Sequence, residues 1–588
     1  MRFVFAIVSV VIAAVMIGTG VAQQTVLKLP DHVTVSVHLD STAPVTVIDG
    51  SVMRTFPNTQ KLRVTGDAEQ RVFAAVGSTV DVDGWVGEAS HNVLSYDADT
   101  RELVNTVVSG SESTVPDPAG SDLWYGEYSG TGRITQKLLV NAEKSIVIVG
   151  DGSDAAPADV SITWSVDNST PWATPLLLGG AVVLIVGLAL LLWAILRVRS
   201  ARGPRRKTPK MPKLPKRPRY KPSRRTRAQP GATGPRLGGR RSSRRLLLAP
   251  AVLAIAAVGL AGCTAEPTPE PSQTATSTAD ASTDTAAPAV TAAQAATILE
   301  RIRAVADQAD SDMDATLAAT RFAGPALEQR TANYTIRKDD KDNAEAVAAI
   351  PDGDPEILLP QQTELWPRTV FVVAGYTSDS ALPPLAMMLV QQDARSNYMV
   401  QYAISLEPGA VIPGVAETSV GAPQLDPDTS LLKVVPSQLA AEYGDILIND
   451  DASAYFASFD ESNDSLRDSV GAAAKKKRQK ALPDTAKLVF SNAPGDGSVI
   501  VLATIDAGAL VAVELNETET VKPVETGATV SAPDDVRALS KVSTSDTGIN
   551  AVYSDQLLFF VPGQTDTSGL VTLLGYASGL VSASEVKK

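Results

Sequence analysis

The chain carries a run of 21 uncharged apolar residues, LLLGGAVVLIVGLALLLWAIL, from Leu176 to Leu196. At roughly 1.5 Å per residue it covers the roughly 30 Å core of a bilayer, where only a helix satisfies the peptide groups. A transmembrane helix over 175–196 is expected. Phe3 to Ala22 is likewise uncharged and ends on Gly20 and Ala22, so 1–22 reads as a signal peptide or an N-terminal transmembrane helix. Leu246 to Gly262, 17 residues, is at the lower limit for a span and reads as a third helix or an export signal. Between the first two runs the period changes to two. Val33, Val35, Val37 and Leu39 alternate with Thr34, Ser36, His38 and Asp40. Similar runs recur at KLRVTG, RVFAAVG, ELVNTVV, KSIVIVG and VSITWSV, parted by Asp-Gly, Pro-Asp and Ser-Gly turns. Residues 23–174 are therefore expected to form an all-β antiparallel sandwich without a substantial helix.

Residues 263–290, rich in Ala, Thr, Ser and Pro, have too few apolar side chains to bury and read as a disordered tether. From Thr291 to Thr320 the apolar step becomes three and four: Ala295, Leu299, Ile302, Ala306, Ala309, Met313 and Leu317 mark one helix face. Strands follow at RTVFVVAGYT, PLAMMLVQQ and YMVQYAISL, the last two flanking a turn at Asp393–Asn397. The order then repeats, with helices near Pro436–Ile448 and Ser465–Ala481 and strands at KLVFS, SVIVLATID, ALVAVELN, NAVYSDQLLFFVP and LVTLLGYAS. The fold class expected is a multi-domain membrane protein: a β-sandwich, transmembrane helices, and an α+β C-terminal region with two helix-plus-antiparallel-sheet subdomains, 291–425 and 426–588. That element order resembles the cone-shaped nuclear-transport-factor-like and cystatin-like folds, and the resemblance implies a concave pocket for a small apolar ligand.

Charge sets the orientation. Arg197 to Arg245 holds 20 Lys and Arg with no Asp or Glu, and the rest of the chain has 32 Lys and Arg against 65 Asp and Glu. Short loops loaded with Lys and Arg stay in the cytoplasm, so loop 197–245 is expected there, against anionic lipid headgroups, with the flanking domains extracytoplasmic. The loop's prolines favour extended chain. A single Tyr220 offers little base stacking, and no nucleic-acid partner is expected. Trp164 and Trp172 before the apolar helix and Trp193 near its inner end read as membrane anchors.

Arg240-Arg241-Ser242-Ser243-Arg244-Arg245, an apolar run, and then Leu260, Ala261, Gly262 and the only cysteine, Cys263, precede the polar tether. This layout resembles the lipobox of bacterial lipoproteins, here internal, and the chain as a whole resembles a bacterial, actinobacterial-type membrane protein. The resemblance implies diacylglycerol on the Cys263 thiol and cleavage just before it. The alternatives are an uncut third span, or two neighbouring genes joined in frame.

Catalytic and metal chemistry find little support. The histidines are His32, His38 and His91 alone, so Ser-His or Cys-His chemistry and His-containing zinc sites are excluded from Asn92 to Lys588. Asp81-Val82-Asp83-Gly84 lacks the closing Glu of a calcium loop and reads as an acidic turn, while Asp310, Asp312 and Asp314 read as solvated. Trp124-Tyr125 with Tyr128 read as core and rim, and Lys475-Lys476-Lys477-Arg478 as a solvated helix end. No cofactor and no catalytic residue is expected. The function expected is a non-catalytic cell-envelope protein that binds an envelope protein or small apolar ligand or acts as a scaffold. The alternative is a carboxylate-dependent hydrolase of envelope glycans.

Overall fold

The computed structural model describes residues 2–27, 31–56, 59–166, 171–201, 286–340, 344–379 and 381–587. The possible third span at 246–262, the lipobox Leu260 to Cys263, most of the basic loop and most of the tether lie outside the described residues. Contacts divide the chain into two units, the apolar helices on the one hand and the strand-rich regions on the other.

The first helix, α1 (Arg2–Thr25), precedes a sandwich of ten strands: β1 (His32–His38), β2 (Val45–Ile48), β3 (Gln60–Thr65), β4 (Arg71–Ser78), β5 (His91–Asp97), β6 (Glu102–Val108), β7 (Gly126–Thr131), β8 (Arg133–Leu138), β9 (Lys144–Val149) and β10 (Asp159–Ser165). One sheet has the order β1-β10-β3-β8 and the other β6-β5-β2-β9-β4-β7. The sandwich is not wholly antiparallel, because β2 runs parallel to β5. Nor is it free of helix: α2 (Gly50–Met53) is a single turn, and α3 (Thr79–Val86) follows β4 directly. Alternation puts Leu62, Val64, Ile162 and Trp164 of one sheet against Ile48, Val72, Ala74 and Ile148 of the other. Trp164 is therefore core and not a membrane anchor: it is fully buried, and its indole N–H donates to the Met53 carbonyl at 3.0 Å.

The second apolar helix is α4 (Ala173–Ala201), and α1 and α4 are both long and apolar enough to cross a membrane. They pack on each other through small residues at seven-residue spacing. Ala6, Ala13 and Gly20 are the buried positions of α1, and Ala173, Gly180, Gly187 and Ala194 those of α4. A Cβ on Gly180 would fall 2.7 Å from Ile17 Cγ1, and one on Gly187 3.1 Å from Val10 Cγ2. The small residues let the backbones approach, a packing mode that membrane helices also use. Trp172, just before α4, and Trp193 on it are exposed, and the Arg197 guanidinium lies 5.4 Å from the Trp193 ring.

The C-terminal region begins with α5 (Ala292–Asp312), α6 (Ala315–Ala318) and α7 (Gly324–Asp339). The expected single helix to Thr320 breaks at Met313, whose φ is +55°, and Asp314 caps α6 by accepting from the Thr316 and Leu317 amides. Four strands follow, β11 (Pro355–Pro360), β12 (Arg368–Ala374), β13 (Leu385–Gln391) and β14 (Met399–Leu406). A second set opens with α8 (Leu439–Asn449), α9 (Ser465–Val470) and α10 (Ala472–Ala481), the last two parted at Gly471. It continues with β15 (Ala486–Pro494), β16 (Ile500–Ala503), β17 (Ala509–Pro523), the short β18 (Val530–Ser531), α11 (Asp534–Ser540), the short β19 (Thr544–Ser545), β20 (Ile549–Val561) and β21 (Thr572–Glu585).

The two sets share one antiparallel sheet, β11-β12-β13-β14-β21-β20-β17-β15, with β16 beside β17. Strands β14 and β21 join them in the sheet through the pairs Ser405 with Tyr576 and Leu406 with Gly575. Each strand near the centre serves two cores. Val370, Val372 and Met387 face α5 and α7, while Phe371, Val373 and Met388 meet Leu510, Ala512 and Leu558 of the other set. Val511, Val513 and Phe559 point the opposite way, toward α8 and α9. The interiors between helices and sheet are thus filled by apolar side chains.

Candidate functional site

The most elaborated polar constellation lies where the sandwich meets the C-terminal region, and it is built from α3, the 109–125 loop, and the β13–β14 turn. Helix α3 starts because the Ser78 hydroxyl accepts from the Asp81 amide at 3.0 Å, and Asp81 then sits in its first turn, where the helix dipole favours an anion. The Asp81 carboxylate is buried against Arg368 at 2.5 Å, so it is neither an acidic surface turn nor a calcium ligand. The Arg368 guanidinium also stacks 3.9 Å from the Trp366 ring. That ring occupies the place where residue 84 would carry a Cβ, which would lie 2.6 Å from it, so Gly84 is required by close approach. The last carbonyls of α3, Trp85 and Val86, accept from Arg395 at 2.8 and 2.9 Å. Arg395 comes from the Asp393–Asn397 turn expected from the sequence, where its amide donates to the Asp393 carboxylate. Its guanidinium also donates to Glu112 and holds that carboxyl below the usual range.

A second anchor is Asp122, whose side chain is wholly buried. It accepts from Arg321 at 2.5 and 3.2 Å, from Arg301 at 3.2 Å and from the Tyr398 amide at 2.9 Å. Arg301 extends to the Gly120 and Ser121 carbonyls and to Glu127, and Gln294 donates to the Leu123 carbonyl. Four arginines of the C-terminal region therefore enter a surface of carboxylates and carbonyls on the sandwich. Between these polar anchors is an apolar core in which Phe73, Trp85, Trp124 and Val147 of the sandwich pack with Ala394, and Trp366 covers its edge. The expected core-and-rim assignment fits the aromatic cluster: Trp124 is buried and edge-on to Trp85, and Tyr125 is half-exposed under the Lys144 ammonium.

A polar groove of about 520 Å³ opens at the weak β14–β21 joint, lined by Gln329, Ser405, Glu407, Ser465, Gln556 and Tyr576 among others. Where the strands diverge, glutamines replace the missing ladder. Gln329 donates to the Ser554 and Ala577 carbonyls, and the Gln556 side-chain oxygen accepts from the Ala403 amide. Glu407 accepts from both the amide and the hydroxyl of Ser465. Nearby carboxylates are engaged in structure: Asp464 accepts from the Tyr443 hydroxyl and caps α9, and Glu517 pairs with the buried Lys475. Burial pushes the Asp464 and Glu517 carboxyls above their ordinary values.

Two sequence expectations are corrected here. Lys475 and Arg478 are not the solvated end of a helix, since they face Glu517 and Glu519 of β17. Asp310 is not free in solvent: it accepts from the Tyr334 hydroxyl and lies 3.3 Å from the buried Arg330. The histidines do not converge; His38 pairs with Asp159 at 2.7 Å, which raises its pKa, and His91 contacts the Ala89 carbonyl. Among the described residues no group of three His, Cys, Asp or Glu is arranged to hold a metal ion. The interdomain arginines went unrecognised because each is between 174 and 287 residues from its partner in the sequence.

No curated protein and no solved structure was found to match the chain. Residues 286–585, just over half of it, match the family described as a domain of unknown function (DUF8094), and the chain belongs to that family.

Proposed function

We propose that the chain is a non-catalytic, membrane-anchored protein of a bacterial cell envelope, whose sandwich and family domain act together as one extracytoplasmic binding or scaffold body. The observation that carries this reading is the burial of Asp122 and Asp81 against Arg321 and Arg368. Charges buried in pairs are costly to separate, so the sandwich and the family domain belong on one side of a bilayer. A chain that enters the membrane at α4 must then return before the family domain begins, and the apolar residues 246–262 offer the return. The 20 Lys and Arg of 197–245 favour the cytoplasm and anionic headgroups for the loop between. Cys263, if lipidated, would replace that crossing by a lipid anchor.

An envelope protein suits this body better than a small apolar ligand, since side chains fill both helix-to-sheet interiors. The test is a reporter active only after export, placed at Lys210 or after Lys588, together with protease added to intact cells. Activity at Lys588 alone, with digestion of both folded bodies from outside, is the expected result; activity at Lys210 defeats the reading. A second reading, a carboxylate-dependent glycan hydrolase, draws on the raised Asp464 carboxyl and on Glu407 in the groove. Release of reducing sugar from cell-wall glycan, abolished by Glu407→Gln, would favour it.

A further inference from the structure

We infer that the family domain holds the sandwich as a partner in its own right, so that the two remain bound when the chain joining them is cut. Among the described residues, the contacts that unite them lie within 31–166 and 286–587. The surface is complementary in charge and one-directional: Arg301, Arg321, Arg368 and Arg395 are all on the family domain, and Asp122, Glu127, Asp81 and Glu112 all on the sandwich. Separation would leave Asp122 without any of its arginine donors, and would strip Ala394 and Trp366 from an apolar face containing Phe73, Trp85 and Trp124. A sheet face of that kind is a docking surface, and buried ion pairs at its edge set register and slow dissociation. Cleavage before Cys263, or synthesis as two chains, then yields a two-piece complex with an anchor on each piece.

The experiment uses the full chain, purified in detergent, with one tag inserted at Lys210, a second after Lys588, and a site-specific protease sequence inserted within 264–285. After cutting, every apolar segment stays with the N-terminal piece, so the C-terminal piece is held by this surface alone. The expected result is that the two pieces elute together and that the C-terminal piece stays on resin bound to the tag at Lys210 through prolonged washing in high salt. Asp122→Ala is expected to speed its loss roughly a hundredfold, with unchanged circular dichroism of the purified chain reporting an intact fold. Arg395→Ala, on the opposite partner, gives a second loosening independent of Asp122. Prompt loss of the unsubstituted C-terminal piece overturns the inference, and so does retention indifferent to both substitutions. The readout does not depend on membrane orientation, so this inference and the proposed function can fail separately.

Discussion

Asp555, in the middle of β20, is 1% exposed. Burial pushes its pKa up to about 7; the Ser578 hydroxyl and Lys475 oppose that rise, while Glu517 and Glu514 add to it. From the helix side it faces Tyr443, which is hydrogen-bonded to Asp464. The folded chain therefore keeps a proton that the unfolded chain releases near pH 4, so stability falls as pH rises between about 4 and 7. Asp555→Asn removes that dependence, and should raise stability by about 4 kcal/mol above pH 7 and change little below pH 4. Denaturant midpoints across that range check it. Gly84 gives the opposite sign. Alanine in a helix normally gains about 0.5–1 kcal/mol over glycine, but here its Cβ would lie 2.6 Å from the Trp366 ring. Overpacking costs about 1–3 kcal/mol and should win. Pairing Gly84→Ala with Trp366→Ala should then show coupling in a double-mutant cycle, and additivity would refute the contact. Such contacts are illegible in sequence, because a lone Gly or Asp reads the same wherever its partner lies.

Elements were legible where one face is buried and obscure where none or both are. The alternating sandwich strands and the apolar stripe of α5 follow from one-sided burial. Helix α7 escaped notice because its inward face includes the buried Arg330, stacked 4.0 Å from the Phe322 ring, in place of an aliphatic residue. Strands β12 and β13 read as continuous apolar runs because one set of side chains feeds the helix-covered core and the other the core between the two halves. The heptad of small residues on α1 and α4 was present in the sequence but gains meaning only from the pairing. It bears on whether residues 1–22 are cut away. A retained α1 should give a crosslink between Ile17→Cys and Gly180→Cys in a Cys263→Ser background, since the Gly180 Cβ direction points 2.7 Å from Ile17 Cγ1. A mature protein lacking an N-terminal tag, with no crosslink, would show instead that α1 is a cleaved signal.

At the scale of the whole molecule, the sandwich and the family domain each have cores of their own, yet they also share one. Independent cores favour independent unfolding, and a shared core with buried ion pairs couples the two equilibria by whatever the interface contributes. Losing one partner of a buried hydrogen-bonded charge pair costs about 3–5 kcal/mol, a large fraction of the 5–15 kcal/mol that stabilises an ordinary domain. The interface has two such pairs, Asp122 with Arg321 and Asp81 with Arg368, so coupling should dominate. Calorimetry of the full chain in detergent is accordingly expected to show the sandwich and the family domain melting in a single transition. In Arg368→Ala, Asp81 is left buried without its cation and the transition should split in two, the sandwich melting apart from the family domain. Two transitions in the unsubstituted chain would mean that the shared core adds less than either body's own, and that the arginines orient the domains without binding them together.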